Sequence, residues 1–350
     1  MNIHHASTRN PVILERGAAA RLPEILGDLG GSFAVIADAA ASTSHPEVAA
    51  ALGSLGETII LEPGESQKRF GTVESVLDSL VARRIRRTDT IIAFGGGVTT
   101  DIAGFVSSIY LRGVRCVFVP TTLLGQVDAA IGGKNGVNLA GGKNLAGTFY
   151  EPWMLVVDPA LLDTLPQAEY LSGLAEVVKY GLSIDPELLE LIETSAESVL
   201  VRQPAVLDRM IKRSVEIKRD IVGKDPQESG PRMVLNYGHT FGHALEASGG
   251  YSRHRHGEAI SVGMVVAALI SRDTGLLDTE GVETHTRVLQ RLGLPTSAAF
   301  DRDELMQLMT ADKKFGASQR WVLLEQIGKC AIKDDVPGSV VMQALEGVQG

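Results

Sequence analysis

Short runs of consecutive apolar residues alternate with amphipathic stretches through the first half of the chain. FAVIAD (33–38) and ETIILEP (57–63) predict strands, whereas the apolar spacing of VESVLDSLVARRI (73–85) predicts a helix. DTIIAF (89–94) predicts a strand that runs directly into Gly95, Gly96 and Gly97, and VRCVFVP (114–120) and WMLVVDP (153–159) predict two more. Strands alternating with helices of this length imply parallel pairing through crossover helices. An antiparallel α+β sheet is the competing arrangement.

After about residue 165 the pattern changes to helical spacing in AEYLSGLAEVVKYGLSI, PELLELIETSAESVL, PAVLDRMIKRSVEIKRDIV and AISVGMVVAALISRDTGLL. Strand signals nearly vanish until QRWVLLEQIG (319–328). The expectation is an α/β domain over 1–160 followed by a mostly α-helical domain over 161–350.

Composition changes this picture little. At 44% hydrophobic and 21% charged, the 350 residues suit a globular protein with a sizeable core. The net charge of −9 argues against nucleic-acid or anionic-membrane partners, which need a basic face. Cys116 and Cys330 form no disulfide framework, which fits a reducing cytosol. The opening MNIHHASTRNPVILERG has no signal-peptide pattern, and no apolar run is long enough to span a membrane. A cytoplasmic protein is expected.

Three segments carry candidate chemistry. GGGVTTD (95–101) follows a strand and opens a predicted helix, so its backbone N–H groups suit a phosphate. The spacing is not the strict dinucleotide fingerprint, and a tight turn without a ligand is an equal reading. Asp38, ending a strand, suits either a ribose hydroxyl or a plain turn. In VDAAIGGKNGVNLAGGKNLAGTF (127–149), Lys134, Asn138, Lys143 and Asn144 are interleaved with glycines, a pattern suited to phosphate or carboxylate oxygens.

The third segment, LNYGHTFGHALE (235–246), sets His239 and His243 four apart on one helix face, with His256 and Glu258 close behind in HGEA. Thr240 stands where a zinc protease would carry its glutamate. Imidazoles with a carboxylate suit zinc, and Glu176, Glu246 and Glu258 are the candidate carboxylates. Three unrelated core or capping histidines form the alternative, and His254 reads as an exposed loop residue. Lys179, Lys218, Arg232, Lys313 and Lys314 would surround such a centre with positive charge, favouring a small phosphorylated acid as ligand.

The series GGGVTTDIAGF, YLRG, PTTLLGQVDAAIGGKNGVN, GKNLAGTF, LAEVVKYG, RMVLNYGHTFGHALE, HGEA and ADKK resembles the 3-dehydroquinate synthase family of sugar phosphate cyclases, in order and over most of the chain. That resemblance implies a Rossmann-like NAD-binding α/β domain and an α-helical metal-binding domain, in a homodimer. It implies Glu176, His239 and His256 as ligands of a divalent metal, zinc foremost and cobalt as the alternative, with His243 left for substrate and proton transfer. Asp128, Lys134, Asn144, Lys179, Lys218, Arg232, Asn236 and Lys314 would serve the substrate, and Arg112 would reach a neighbouring subunit's substrate phosphate. Asp38, Glu65, Lys68, Gly96, Gly97, Asp101, Thr121 and Thr122 would line the NAD site, with Lys143 nearby.

The implied reaction converts the phosphorylated keto acid 3-deoxy-D-arabino-heptulosonate 7-phosphate to 3-dehydroquinate and phosphate, with NAD regenerated in each turnover. Relatives cyclise other substrates on this scaffold. The 2-deoxy-scyllo-inosose synthases carry a glutamate where this chain has Asn236, and valiolone-forming relatives lose the Arg232 type of residue. An aminodehydroquinate-forming cyclase is another alternative, and a metal-dependent polyol dehydrogenase is more distant. Thr100 and Asn135 depart from the family's usual glycine and threonine.

Overall fold

The computed structural model describes residues 2–3, 10–228, 230–311 and 320–350. The chain forms two compact units, Met1–Tyr170 with Lys218–Gln227, and Leu171–Ile217 with Glu228–Gly350. Lys218, in the last third of the long helix Pro204–Lys224, therefore belongs with the first unit.

The first unit is built on a seven-stranded sheet. Its strands are β1 (Asn2–Ile3), β2 (Val12–Leu14), β3 (Phe33–Asp38), β4 (Gly56–Leu61), β5 (Thr90–Gly95) and β6 (Arg115–Pro120), then, after an intervening hairpin, β9 (Met154–Val157). The hairpin is β7 (Lys134–Leu139) and β8 (Gly142–Phe149), paired antiparallel. The sheet order is β1-β2-β9-β6-β5-β3-β4, and every neighbour pair except β1–β2 is parallel. The antiparallel alternative is thus excluded. Central strands are apolar along their whole length because helices cover both faces; Val35, Ile92, Phe94, Val117 and Val119 are all buried.

Chain order sets where a ligand can enter. The chain leaves β3 for β4 on one side and then crosses back to β5 on the other, so β3 and β5 flank a topological switch point. In open α/β sheets the crevice beyond the carboxyl ends of such strands is the ligand-binding position. Here those ends are Asp38 and Gly95.

Predicted helices appear at Phe70–Ala82 and Gly97–Ile109. The glycine-rich segment after Val127 differs from a simple loop: most of it is the β7–β8 hairpin. Low strand propensity hides it in the sequence, and glycine permits it. A Cβ on Gly147 would lie 2.1 Å from the Asn135 carbonyl oxygen across the hairpin.

The second unit is mainly helical, with Pro186–Thr194, His239–Ser248, His256–Asp273, Thr279–Arg291 and Gly338–Glu346 among its helices. His256–Asp273 is buried along most of its length. The strand expected at 319–328 is β10 (Trp321–Gln326), which pairs with an unforeseen β11 (Lys329–Lys333). No helix among the described residues is long and apolar enough to cross a membrane.

Candidate active-site residues

In the first unit, Gly95–Gly97 ends β5 and starts the helix Gly97–Ile109. A Cβ on Gly95 would lie 2.5 Å from Thr99 Oγ1 and 2.9 Å from Asp38 Cβ. One on Gly96 would lie 3.1 Å from Thr122 Cγ2. The turn is therefore pressed between the ends of three strands, and side chains at its glycines would fill the cradle. The helix N-terminus presents backbone N–H groups there, an arrangement that fits the pyrophosphate of a dinucleotide. Thr121 N–H donates to the Gly95 carbonyl at 2.9 Å, which brings Thr121 and Thr122 to the same turn. Asp38 also caps its following helix, accepting from Ala41 N–H at 2.9 Å.

Around this turn runs a polar network. The buried Lys68 ammonium donates to Asp101 Oδ2 at 2.6 Å and also to Asn144 Oδ1. Burial raises the Asp101 carboxyl above its usual range, while Lys68 pulls it back toward ionisation. Asn144 has a left-handed backbone, φ 56°, and its N–H donates to Asn138 Oδ1 at 2.9 Å. Asn138 in turn donates to Glu65 Oε1 at 2.8 Å. Lys218 donates to the Asp128 carbonyl at 2.7 Å and its Oδ1 at 2.6 Å. Lys134 is exposed, Lys143 half-buried, and Arg112 exposed at φ 64°.

Thr100 and Asn135, the two positions expected to differ from the family's usual residues, are both satisfied internally. Buried Thr100 turns its hydroxyl back to the Gly97 carbonyl at 3.0 Å. Asn135 Nδ2 donates to the carbonyls of Gly133 at 2.8 Å and Tyr150 at 2.7 Å.

The second unit brings Glu176, His239 and His256 together, their candidate ligand atoms all within 4.8 Å of one another. Two glycines make this convergence possible. A Cβ on Gly257 would sit 2.2 Å from the Ser172 carbonyl oxygen, so only glycine lets the start of the His256 helix press against the helix bearing Glu176. A Cβ on Gly263 would sit 2.0 Å from the Gly238 oxygen, which brings the start of the His239 helix equally close.

Electrostatics at the cluster fit a cation. Burial would raise the Glu176 carboxyl, yet Lys179 and the flanking histidines hold it well below the carboxylate range. Lys179 is itself buried and ion-paired to Glu176 Oε2. Burial and Lys179 push His239 well below the usual imidazole value, so it is neutral. His239 Nδ1 lies 3.2 Å from the Tyr237 carbonyl, which only accepts, so Nδ1 carries the hydrogen. The bare Nε2 lone pair then faces Glu176 Oε1 at 3.6 Å. Two electron-rich atoms in that relation are satisfied by a cation between them.

His256 contacts Glu176 Oε1 through Nε2 at 3.2 Å and Glu246 Oε2 through Nδ1 at 3.3 Å. Burial opposes charge on His256, but hydrogen bonds to the two carboxylates outweigh it and raise its pKa to about 9. Glu246 thus braces His256 from behind. The exposed His243 ring stacks edge-on to His239 with centroids 5.1 Å apart. Glu258 instead accepts from Arg255 N–H at 2.9 Å and caps its helix. His254 is half-buried rather than exposed. Asn236 donates to Glu228 Oε1 at 2.8 Å, and Arg232 is buried in the turn Pro231–Asn236. Lys313 and Lys314 lie outside the described residues. Glu228 lies outside every motif, and Tyr237, though inside LNYGHTFGHALE, carries no chemistry that the sequence pattern singles out.

Comparison with known proteins gives a consistent result. The N-terminal and C-terminal models of 3-dehydroquinate synthase match residues 58–172 and 173–315. A 3-dehydroquinate synthase of Nostoc punctiforme is 42% identical over 82% of this chain and 81% of its own. A 2-epi-5-epi-valiolone synthase of Streptomyces hygroscopicus, solved with NAD+ and Zn2+ bound, superposes with a TM-score of 0.90 at 28% identity, over 99% of this chain and 98% of its own. A 2-deoxy-scyllo-inosose synthase complexed with carbaglucose-6-phosphate, NAD+ and Co2+ gives 0.89 at 27% identity, over 99% of both chains.

Proposed function

The chain belongs to the 3-dehydroquinate synthase family, and we propose that it cyclises 3-deoxy-D-arabino-heptulosonate 7-phosphate to 3-dehydroquinate with loss of phosphate, a lyase reaction of the shikimate pathway. The observation that carries this reading is the Glu176–His239–His256 cluster, a neutral imidazole lone pair aimed at a carboxylate. We propose that these residues hold a divalent ion, zinc or cobalt, and that the Gly95–Gly97 turn with Asp38, Glu65, Lys68, Asp101, Thr121, Thr122 and Lys143 holds NAD. When bound, NAD supplies a hydride acceptor regenerated within the turnover, and the ion supplies a Lewis acid that acidifies a substrate hydroxyl.

The remaining roles fall to side chains. Arg232 suits a bidentate hold on the substrate carboxylate, and Asn236, oriented by Glu228, supplies a neutral donor. Lys134, Asn144, Lys179, Lys218 and Lys314 are assigned to substrate oxygens, and Asp128 orients the Lys218 ammonium. His243 carries proton transfer. Fixing the substrate in one conformation is what permits ring closure.

The protein is proposed to act in the cytoplasm as a homodimer, with Arg112 reaching the partner's substrate. Ile109 and Leu111, 40% and 46% exposed, lie just before Arg112 in the chain and suit a covered face. Sedimentation of the purified chain tests this. For the activity, protein supplied with NAD and zinc should release inorganic phosphate from the heptulosonate phosphate without net NADH. Steady NADH from a simple polyol would mark a dehydrogenase instead. Equal phosphate release from a sugar phosphate lacking a carboxylate would mark a different cyclase.

A further inference from the structure

Behind the metal-type cluster, a buried relay runs from the helix Thr279–Arg291 to His239. His285 Nδ1 lies 2.7 Å from the Gly281 carbonyl. A carbonyl only accepts, so Nδ1 carries the ring hydrogen and Nε2 is left as an acceptor. The Tyr237 hydroxyl lies 2.8 Å from that Nε2 and therefore donates to it. The Met264 carbonyl, 3.3 Å from the same hydroxyl, is the weaker competitor for its one hydrogen. Both side chains have no exposed surface.

At its other end, Tyr237 offers its backbone carbonyl to His239 Nδ1 at 3.2 Å. The next residue, Gly238, has φ 78° and packs so closely on the helix His256–Asp273 that a Cβ there would meet Met264 N at 2.9 Å. The side chain of Tyr237 thus anchors a carbonyl whose direction fixes both the tautomer and the ring plane of His239. Burial keeps His285 neutral by lowering its pKa to about 4, which preserves the accepting nitrogen at ordinary pH.

We propose that His285 and Tyr237 are positioning residues of the metal centre, holding His239 in the Nδ1–H tautomer with Nε2 aimed at Glu176. Neither residue supplies a ligand atom to the cluster. The inference rests on the metal reading above and deepens it. Groups that orient a ligating imidazole in this way commonly change metal affinity by about 10–100-fold.

Zinc affinity of the chelator-stripped full chain, measured by competition with a chromophoric chelator, tests the relay without reference to turnover. Tyr237→Phe removes only the hydroxyl and should weaken zinc binding about 10-fold. His285→Leu should do the same, whereas His285→Gln, whose amide oxygen can accept the hydroxyl, should stay within about 3-fold of wild type. Melting temperatures of the apo forms run alongside. Unchanged zinc affinity in Tyr237→Phe, whatever its melting temperature, overturns the relay, and this variant decides the matter even if His285→Leu fails to fold. Equal loss in the Gln and Leu variants assigns the effect to packing and also overturns it. Wild-type chain that binds no zinc overturns the metal reading itself, and the relay falls with it.

Discussion

The Lys68 ammonium lies 2.6 Å from Asp101 Oδ2 and at the same time donates to Asn144. One buried cation thereby ties the helix after the glycine turn to the β7–β8 hairpin. Lys68→Met would leave the Asp101 carboxylate without its counter-charge. Loss of one partner from a fully buried pair costs about 3–5 kcal/mol. The Asp101 side chain keeps 17% exposure, so about 2 kcal/mol is expected here. Adding Asp101→Asn should restore part of that loss, as read by urea unfolding of the single and double variants.

Glu176→Gln removes a candidate ligand and leaves Lys179 buried beside a neutral amide. Bound zinc should fall below about a tenth of an equivalent, because affinity follows ligand charge and number. The metal-free chain should lose about 3 kcal/mol. Elemental analysis and urea unfolding read the two effects separately, and stoichiometric zinc in the variant would rule out Glu176 as a ligand.

His285 gives a signed pH dependence. Its pKa is lowered from 6.5 to about 4 by burial, so the unfolded chain takes up the proton first as pH falls. Stability from this residue is therefore present above about pH 6.5 and declines progressively toward pH 4, by up to about 3 kcal/mol. Unfolding midpoints between these limits should fall more steeply for wild type than for His285→Gln. Parallel curves would contradict the assignment.

Asn135→Thr introduces the residue that the family resemblance leads one to expect at this position. The variant exchanges two hydrogen bonds, to the Gly133 and Tyr150 carbonyls, for at most one. A loss of about 1 kcal/mol is expected from the missing bond. Turnover should be unchanged, because Asn135 directs its amide into the hairpin. A changed kcat with intact stability would instead give Asn135 a role in the reaction.

Sequence alone determined the parallel α/β first half, the helical second half, the glycine turn after a strand and the pairing of His239 with His243 on one face. Each is a local pattern: apolar runs, 3.6-residue spacing, or a motif within a dozen residues. It also supplied three candidate carboxylates without ranking them from residue chemistry. Tertiary structure separated those three, because Glu176 faces both imidazole nitrogens, Glu246 backs His256, and Glu258 caps a helix.

The β7–β8 hairpin and β11 stayed hidden because glycine-rich and half-exposed strands carry weak periodicity. The relay through His285 was illegible for a different reason. His285 is 48 residues from Tyr237, and no local pattern encodes a hydrogen bond between side chains that only tertiary packing brings together. Which groups are present is a matter of sequence, whereas close approach at Gly257 and Gly263 decided which of them meet.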